Sequence, residues 1–452
     1  MEVEITKEYI EKLKELIEDN SSEEIKAWME PLHPADIAEI MDDLTMDEAK
    51  YVYLLLEGEK ASDVLIEIPD YERKRFLKVL PPELIARKFI EYMDSDDAAD
   101  IVANLDEDLK KEVLMGIKDT EQAGDIVDLL EYEEDTAGGI MALELVSVNE
   151  NWTVATCLKE ISKQAENVDE IYYIYVVDNQ QKLKGVLSLK KLILNSTSTK
   201  ISNIYNPEVK MVSTGTRQEE VAEIMDKYDL VAIPVVDDIG RLKGRITFDD
   251  VIDFVREEAE RDYQMVSGIT GDVEPGDKVW QLLRARFPWL LVGLVGGIMG
   301  ALVLGSHEKE LARVTEMAFF IPLIAAMAGN VGVQSSSIVV QSIASGVKEV
   351  ESTGQRLLKE LLVALTTASI FALLIFGYNF LTQGSMSLTF SVSISLFIVI
   401  VFASVFGTFI PLILNRLKID PALATGPFIT TMNDIIGLFI YLSVGKMFFG
   451  LF

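Results

Sequence analysis

Two aspartates in the last apolar stretch of the chain carry the strongest chemical signal. Asp434 lies in the middle of DPALATGPFITTMNDIIGLFIY, and Asp420 opens this stretch fourteen residues earlier. A regular helix would place both carboxylates on nearly the same face, about 21 Å apart along its axis. A charge at bilayer depth is costly, so it normally has a partner or a function. We count no Lys or Arg deep in any other apolar segment, and Lys446 lies toward the end of this one. We therefore expect a mobile cation as the partner.

The helix between the two aspartates is expected to be broken. Gly426 and Pro427 interrupt it, and proline lacks the backbone donor that the carbonyl of Leu423 would need. Broken backbone is tolerated in a membrane only where protein or water receives it. The sequence therefore predicts that this segment faces protein or water.

The charge is distributed unevenly along the 452 residues. From Arg284 onward there are eight acidic and ten basic residues, so the net charge of −32 belongs to the part before it. That part is too acidic for nucleic acid or anionic lipid, which leaves a solvated surface or cation binding. With one cysteine and two histidines, a disulfide framework or a thiolate and imidazole metal site is implausible. Oxygen ligands favour hard cations such as Mg²⁺ or Ca²⁺.

Residues 1–137 predict a domain of short amphipathic helices. ADIAEIMDDL at 35–44 and ADIVANLDED at 99–108 echo each other, as stacked helical repeats would. The charged, helix-patterned start predicts no signal peptide and a cytoplasmic N-terminus. An acidic run either begins a helix, where the dipole stabilises it, or binds a cation, and both interpretations stay open for Asp94, Asp96, Asp97 and Asp100.

A tandem repeat occupies residues 138–260. IYVVDNQQKLKGVLSLKKLI aligns without gaps on IPVVDDIGRLKGRITFDDVI, at an offset of 59 residues. Two copies of strand, turn, strand and helix resemble a pair of cystathionine-β-synthase (CBS) sensor domains. The second copy keeps Thr247 and Asp250, which resemble the family's ribose-binding Thr-x-x-Asp, whereas the first has Ser188 and Lys191. The resemblance implies a nucleotide site at Thr247 and Asp250, and a pair that binds no nucleotide remains the open alternative.

Residues 249–283 predict a connecting amphipathic helix and a linker. The helix carries more carboxylates than one solvent stripe can hold without mutual repulsion. Arg284, Arg286 and Trp289, which follow it, are typical of a cytoplasmic membrane anchor.

Residues 284–452 predict a transmembrane domain. Its five apolar segments are long enough to span a bilayer, and they lie at about 288–305, 317–345, 358–380, 388–414 and 421–449. Basic residues concentrate on the inner loops, which places the C-terminus outside. The second segment carries a polar stripe that is either interhelical glue or a pore wall, formed by Asn330, Gln334, Ser337 and Gln341.

Several motifs together resemble the MgtE-type magnesium transporter family. They are HPADIAE at 33–39, DDAADI at 96–101, DTAGGIM at 135–141, the CBS pair, RFPWL at 286–290, GNVGVQ around Asn330, and DPALATGPFITTMNDIIG from Asp420. The resemblance implies a multidomain fold with an all-α superhelical N domain, an α+β tandem CBS pair, a connecting amphipathic helix and a five-helix transmembrane domain. It also implies a homodimer with the pore on its axis.

The resemblance also implies which residues bind the ion. The family's pore aspartate falls on Asp434 and its cytoplasmic-mouth aspartate on Asp420, and we add Asn330, Asn433 and Thr430 as pore ligands. Gln341 stands where many members carry a basic residue. The expected cytosolic gating ligands are Asp94, Asp96, Asp97, Asp100, Asp249, Asp250, Asp253, Glu257, Glu258 and Glu260.

We therefore expect a multi-pass Mg²⁺ uptake channel of the plasma membrane, closed by Mg²⁺ on its cytosolic domains, and no enzyme. Its partners would be Mg²⁺, the lipid bilayer and a second copy of itself, with ATP as a candidate ligand of the CBS pair and no nucleic acid. Two alternatives stay open, a proton-coupled divalent-cation carrier and a membrane-tethered nucleotide sensor that transports nothing. A proton relay usually needs further intramembrane acids or histidines, and we expect none here. A pure sensor has no need of Asp434.

Overall fold

The computed structural model describes residues 5–168, 170–271, 273, 277–344, 353–382, 385–424 and 426–451. Two compact units divide the chain, Met1–Arg256 and Glu257–Phe452.

Short amphipathic helices build the first part of the first unit. Helices of this length are marginal alone, so burial of their apolar faces must stabilise them. Local sequence fixes where they begin; Thr45 and Glu48, for example, form a capping box at the start of one helix. The helices are α1 (Lys7–Glu18), α2 (Ser22–Met29), α3 (Pro34–Asp42), α4 (Met46–Leu55), α5 (Gly58–Ile66), α6 (Asp70–Leu77), α7 (Pro82–Lys88), α8 (Ser95–Ala103), α9 (Glu107–Gly116) and α10 (Thr120–Leu129).

The tandem repeat forms two three-stranded sheets with the same topology. In each, the first strand is parallel to the second and the second antiparallel to the third. The elements are β1 (Val146–Asn149), α11 (Val154–Gln164), β2 (Ile174–Val177), β3 (Leu183–Leu187), α12 (Leu189–Leu194), β4 (Val212–Ser213), α13 (Gln218–Tyr228), β5 (Ala232–Val236), β6 (Leu242–Thr247) and α14 (Phe248–Val266).

The turn after the second strand has the same hydrogen bonds in both copies. Asp178 and Asp237, 59 residues apart in sequence, each accept two backbone hydrogen bonds within the turn that follows, from residues two and four positions on. This confirms the predicted CBS pair. The first copy has its own apolar core, whereas the second shares a continuous core with the N-terminal helices that runs from Ile10 to Val251.

Five helices among the described residues are long and apolar enough to cross a membrane, which confirms the predicted spans. The fourth is the most buried of them and packs against the second, third and fifth. A short helix separates the first two spans. The elements are α15 (Val279–Ser306), α16 (Glu308–Arg313), α17 (Ile321–Ala344), α18 (Thr353–Leu381), α19 (Met386–Arg416) and α20 (Pro427–Leu451).

The predicted break before the last span is real, but it changes the expected geometry. Gly426 has a φ of +55°, a conformation that glycine adopts without strain. Pro427 is the first residue of α20, where a missing backbone donor costs little. Asp420 therefore precedes α20 and does not share a regular helix with Asp434, so the expected separation of about 21 Å along one axis does not apply.

Candidate functional site

Asp434 faces the second span at a glycine. It lies seven residues into α20, roughly 10 Å from the first residue of that helix. A Cβ placed on Gly329 of α17 would lie 3.3 Å from Asp434 Oδ1 and 3.1 Å from Thr430 Cγ2. Glycine therefore lets α17 approach the carboxylate closely. Among the described residues, the buried Asp434 Oδ1 has no hydrogen-bond partner. A buried carboxylate oxygen without a donor is costly unless a cation or water receives it.

The other predicted pore residues lie on different faces. Thr430 shares the face of Asp434, and its hydroxyl donates to the Gly426 carbonyl at 2.9 Å. Asn433 is fully buried against Gly332 of α17, and neither polar atom of its side chain has a partner among the described residues. Asn330 is exposed on α17. The structure thus brings Thr430 to Asp434 and turns Asn433 away from it.

The end of the connecting helix lies beside the start of the last span. Asp420 is exposed, and its Oδ1 accepts a hydrogen bond from the Ala422 amide at 2.8 Å. Burial, together with the negative charge of Asp420, raises the pKa of Asp262 on α14. A Cβ on Gly426 would overlap the carbonyl oxygen of Val266, the last residue of α14. Asp420 therefore lies where α14 ends.

A cavity of about 180 Å³ in the first unit is lined mainly by acidic residues. It lies between the N-terminal helices and the second CBS copy, and its lining residues are Asp94, Asp96, Asp97, Ala142, Glu170, Tyr172, Arg245, Thr247, Asp249 and Asp250. Oxygens of Asp94, Asp96 and Glu144 lie within 4.8 Å of one another. Such a set of carboxylates suits Mg²⁺ or Ca²⁺.

Glu144 joins the cluster because it caps helix α8. Its two carboxylate oxygens each lie 3.2 Å from the Ser95 amide, and the Ser95 hydroxyl donates to Oε2 at 2.8 Å. The Leu143 amide in turn donates to that hydroxyl at 2.9 Å. Asp94 occupies the N-cap position without making a side-chain cap bond. These contacts hold the start of α8 against the segment that precedes β1 in the first CBS copy.

Burial and mutual repulsion raise the pKa values of three cavity carboxylates. Burial and the charges of Asp97, Asp250 and Asp94 raise the pKa of Asp96 well above its ordinary value. Burial and neighbouring carboxylates raise the pKa of Asp97 to about 7. Burial raises the pKa of Asp250 to about 6, although hydrogen bonds from Thr247 oppose the shift. A divalent cation would relieve this repulsion.

Arg245 places a buried positive charge in the same cavity. Its side chain is 7% exposed, and one terminal nitrogen lies 3.7 Å from Asp94 Oδ2. The other donates to the Glu170 carbonyl at 2.9 Å, and the guanidinium lies 5.4 Å from the ring centre of Tyr172. Arg245 and Glu144 were not predicted as site residues from the sequence, because the prediction was based on runs of acidic residues. Arg245 is basic, and Glu144 stands outside those runs.

Three known family models match most of the chain. The model for the MgtE intracellular N domain matches residues 32–135, the CBS domain model matches 137–196 and 201–257, and the MgtE divalent cation transporter model matches 321–444. A magnesium transporter MgtE of Thermus thermophilus is 34% identical over 443 residues, which covers 96% of this chain and 97% of the relative. The chain belongs to the MgtE family.

Two further comparisons agree with this membership. An MgtE magnesium transporter of Enterococcus faecalis is 37% identical over 73% of this chain and 72% of the relative. The solved cytosolic domain of the Mg²⁺ channel MgtE in complex with ATP is 37% identical and has a TM-score of 0.52, covering 54% of this chain and 99% of that domain. These relatives are transporters rather than enzymes, as the sequence led us to expect.

In this MgtE chain, the two predicted nucleotide ligands, Thr247 and Asp250, are hydrogen-bonded to each other. The amide and hydroxyl of Thr247 donate to Asp250 Oδ2 at 2.8 and 2.6 Å, at the start of α14. In the first copy, Ser188 Oγ accepts a bond from the Lys191 amide at the corresponding position. Thr247 and Asp250 thus act as a helix cap, inside the acidic cavity.

The remaining predicted gating residues lie outside the cavity lining. Asp100 is exposed on α8, and Asp253 is exposed on α14. Glu257, Glu258 and Glu260 belong to the second unit, where Glu258 accepts a hydrogen bond from Arg261 at 3.1 Å. The predicted acidic set therefore divides between the two units.

The expectation of no further acid within the spans is wrong. Glu360 lies seven residues into α18, and the Ser335 hydroxyl of α17 donates to its Oε1 at 2.7 Å. Ser404 of α19 donates to the same oxygen, and the two serine hydroxyls lie 3.0 Å apart. The sequence contained the signal, because Glu360 falls inside the segment predicted at 358–380.

Proposed function

We propose that this MgtE-family chain is a Mg²⁺-selective uptake channel of the plasma membrane, closed when Mg²⁺ binds its acidic cytosolic residues. One observation carries the proposal: a carboxylate oxygen of Asp434 is buried within a membrane span, opposite Gly329, with no donor among the described residues. Mg²⁺ gives up its waters reluctantly, so one carboxylate per subunit suits a largely hydrated ion better than a full cage. Weak binding also permits release into the cell.

A second copy of the chain completes the pore in this proposal. Asn330, Gln334 and Gln341 on α17 are exposed on the single subunit, although they lie within or beside a span. Amide side chains facing lipid are costly, so water or another protein surface must cover them. A homodimer with these residues and Asp434 on its axis meets that need.

The cytosolic cavity supplies the closing signal in this proposal. Helix α14 lines the cavity at Asp249 and Asp250 in its first turn and contacts the start of α20 with its last residue, Val266. Mg²⁺ held by Asp94, Asp96 and Glu144 would neutralise the cavity and favour a compact cytosolic unit. Helix α14 continues from its first turn into the second unit as one helix, so it is the covalent link through which closure would act.

Several bound ions per dimer are needed for such a switch. A site half saturated in the closed state and empty in the open state shifts the equilibrium by only about 0.4 kcal/mol. A change from mostly open to mostly closed takes about 5.5 kcal/mol of differential binding. A dense array of carboxylates meets this requirement where one site would not.

The proposed channel is tested by Mg²⁺ flux into liposomes that contain the purified protein. With Mg²⁺ imposed on one side and the pH clamped equal on both, a channel conducts without any proton gradient. A proton-coupled carrier is the second candidate, and the intramembrane Glu360 is the observation that favours it. In a parallel assay with a pH gradient and a weakly buffered lumen, flux that requires the gradient and changes the luminal pH in proportion to Mg²⁺ uptake would establish the carrier and overturn the channel.

We also propose that the CBS pair binds ATP, with Thr247 and Asp250 as ribose ligands. The ATP complex of the related cytosolic domain supports this assignment. Because acidic residues surround the pair, the triphosphate would enter with Mg²⁺ as its counter-ion. Calorimetry on the full chain should show weaker binding of ATP after Thr247→Ala, and unchanged tight binding would refute the assignment.

A further inference from the structure

Glu360 is a charged side chain that bridges three transmembrane helices. It sits on α18 and accepts hydrogen bonds from Ser335 on α17 and Ser404 on α19. These two serines are 5% and 3% exposed, so the contact is enclosed by protein. An ionisable residue inside a span is rare unless it has a function. Hydrogen bonds to a charged group are also stronger than those between neutral groups.

Helix α17 connects this bridge to Asp434 through three positions spaced three residues apart. Gly329 packs against Asp434, Gly332 packs against Asn433 of α20 and Gly407 of α19, and Ser335 bonds to Glu360. The two glycine contacts are close but have no hydrogen-bond direction of their own. They set how closely α17 approaches α19 and α20. They do not prevent α17 from sliding or rotating, so another contact must do so.

The bridge supplies that directional contact. Ser335 lies six residues from Gly329, about 9 Å along α17. The bridge therefore contacts α17 less than two helical turns from the glycine that meets Asp434. A second hydrogen bond on the same side, from Arg356 of α18 to Ser342 of α17, supports the same placement.

We infer that Glu360 is a positioning residue that holds α17 in register against Asp434 and thereby sets the selectivity of the pore. The inference rests on the proposed channel function. Mg²⁺ demands near-ideal octahedral geometry, whereas Ca²⁺ accepts longer and less regular coordination. A small displacement of Gly329 would therefore affect Mg²⁺ more than Ca²⁺.

The test measures the ratio of Mg²⁺ to Ca²⁺ flux for full-length variants in liposomes. Glu360→Ala should lower this ratio on the order of 10-fold, because both hydroxyl contacts are lost. Ser335→Ala combined with Ser404→Ala should lower it similarly. Glu360→Gln should keep the ratio within about 2-fold of the unaltered chain, because its amide oxygen can still accept from both serines. Size-exclusion chromatography establishes that each variant has the oligomeric state of the unaltered protein.

Thr366→Ala is the matched control on the same helix. The Thr366 hydroxyl bonds only to its own helix among the contacts described, at the Leu362 carbonyl, so its loss should leave the ratio unchanged. If Glu360→Ala does not fold, Ser404→Ala alone gives a milder test, since Glu360 keeps its bond from Ser335.

Two results would overturn the inference. An unchanged ratio in Glu360→Ala, or in the double serine variant, would show that the bridge does not set selectivity. A ratio in Glu360→Gln as low as that in Glu360→Ala would show that the charge acts directly, not the position. Asp434→Asn is measured in parallel: normal flux in that variant would refute the pore itself, whereas its loss beside unchanged Glu360 variants would refute this inference alone.

Discussion

Carboxylates are arranged in opposite ways in the two units of this chain. In the cytosolic cavity, Asp94, Asp96, Asp97 and Asp250 crowd together, and their mutual repulsion helps raise several of their pKa values. Glu144 lies beside Asp94 and Asp96. In the membrane unit, Asp434 and Glu360 lie on separate helices and face glycine or serine. Crowded carboxylates respond strongly to a cation, as a switch must. In the proposed channel, an isolated carboxylate would bind the ion weakly enough to release it.

The two arrangements also differ in how well solvent can screen their charge. Water and mobile ions can reach a cytosolic cavity and screen its excess charge, whereas a bilayer offers no such screening. The cavity also contains the buried guanidinium of Arg245, which offsets part of the repulsion without metal. We therefore expect the number of charges in the cavity to control closure of the proposed channel. The geometry around single residues of the spans should control conduction.

The largest expected effect is that of Asp434→Asn, which should reduce Mg²⁺ conduction without changing how Mg²⁺ compacts the cytosolic unit. Asp434→Asn keeps the shape of the side chain and removes its charge, so Mg²⁺ flux should fall by at least about 10-fold. Protection of the cytosolic unit from protease by Mg²⁺ should be unchanged. Asp420→Asn is the matched control, with a milder loss of flux because Asp420 is exposed and screened. Equal flux in Asp434→Asn and the unaltered chain would remove Asp434 from the pore.

A smaller effect is expected from the buried arginine of the cavity. Its positive charge lies 3.7 Å from an oxygen of Asp94 and competes with Mg²⁺ for the same carboxylates. Arg245→Gln should lower the Mg²⁺ concentration needed for half-maximal protease protection by about 3-fold. Arg245→Lys, which keeps the charge, should stay near the original midpoint. A higher midpoint in Arg245→Gln would mean that this residue builds the cavity instead of competing for it.

The smallest effect concerns pH in the absence of divalent cations. The pKa of Asp97 is raised in the folded unit from 3.8 to about 7, so the folded state binds its proton more tightly than the unfolded chain. The stability gained in this way is fully present below pH 3.8 and is lost as the pH rises through about 7. The melting temperature should fall by roughly 5 °C from pH 5 to pH 8. Asp97→Asn should flatten this profile in a thermal shift assay, and an equal slope in both proteins would contradict the assignment.

Local sequence was sufficient to predict the five spans and the CBS pair. The five spans follow from the length of the apolar segments, and the CBS pair follows from a gapless repeat at an offset of 59. Asp434 also stood out locally, because a charge within an apolar segment is visible without knowledge of the fold.

The assembled contacts could not be predicted in this way. Glu144 meets Asp94 and Asp96 across about fifty residues of chain, and periodicity carries no information on such a contact. Adjacent residues on a helix also point about 100° apart, so Asn433 could not be placed beside its neighbour Asp434 without knowing the packing. The common face expected for Asp420 and Asp434 failed because α20 begins only at Pro427.

Recording of single channels, with Mg²⁺ varied on the cytosolic face, tests the central claim most directly. The comparison is between the full chain and a variant with Asp94→Asn, Asp96→Asn and Glu144→Gln, which removes cavity charge and leaves every membrane residue intact. We predict the same single-channel conductance for both proteins and a half-closing Mg²⁺ concentration raised by roughly 10-fold or more in the variant. Closure of the variant over the same Mg²⁺ range as the full chain would contradict the account.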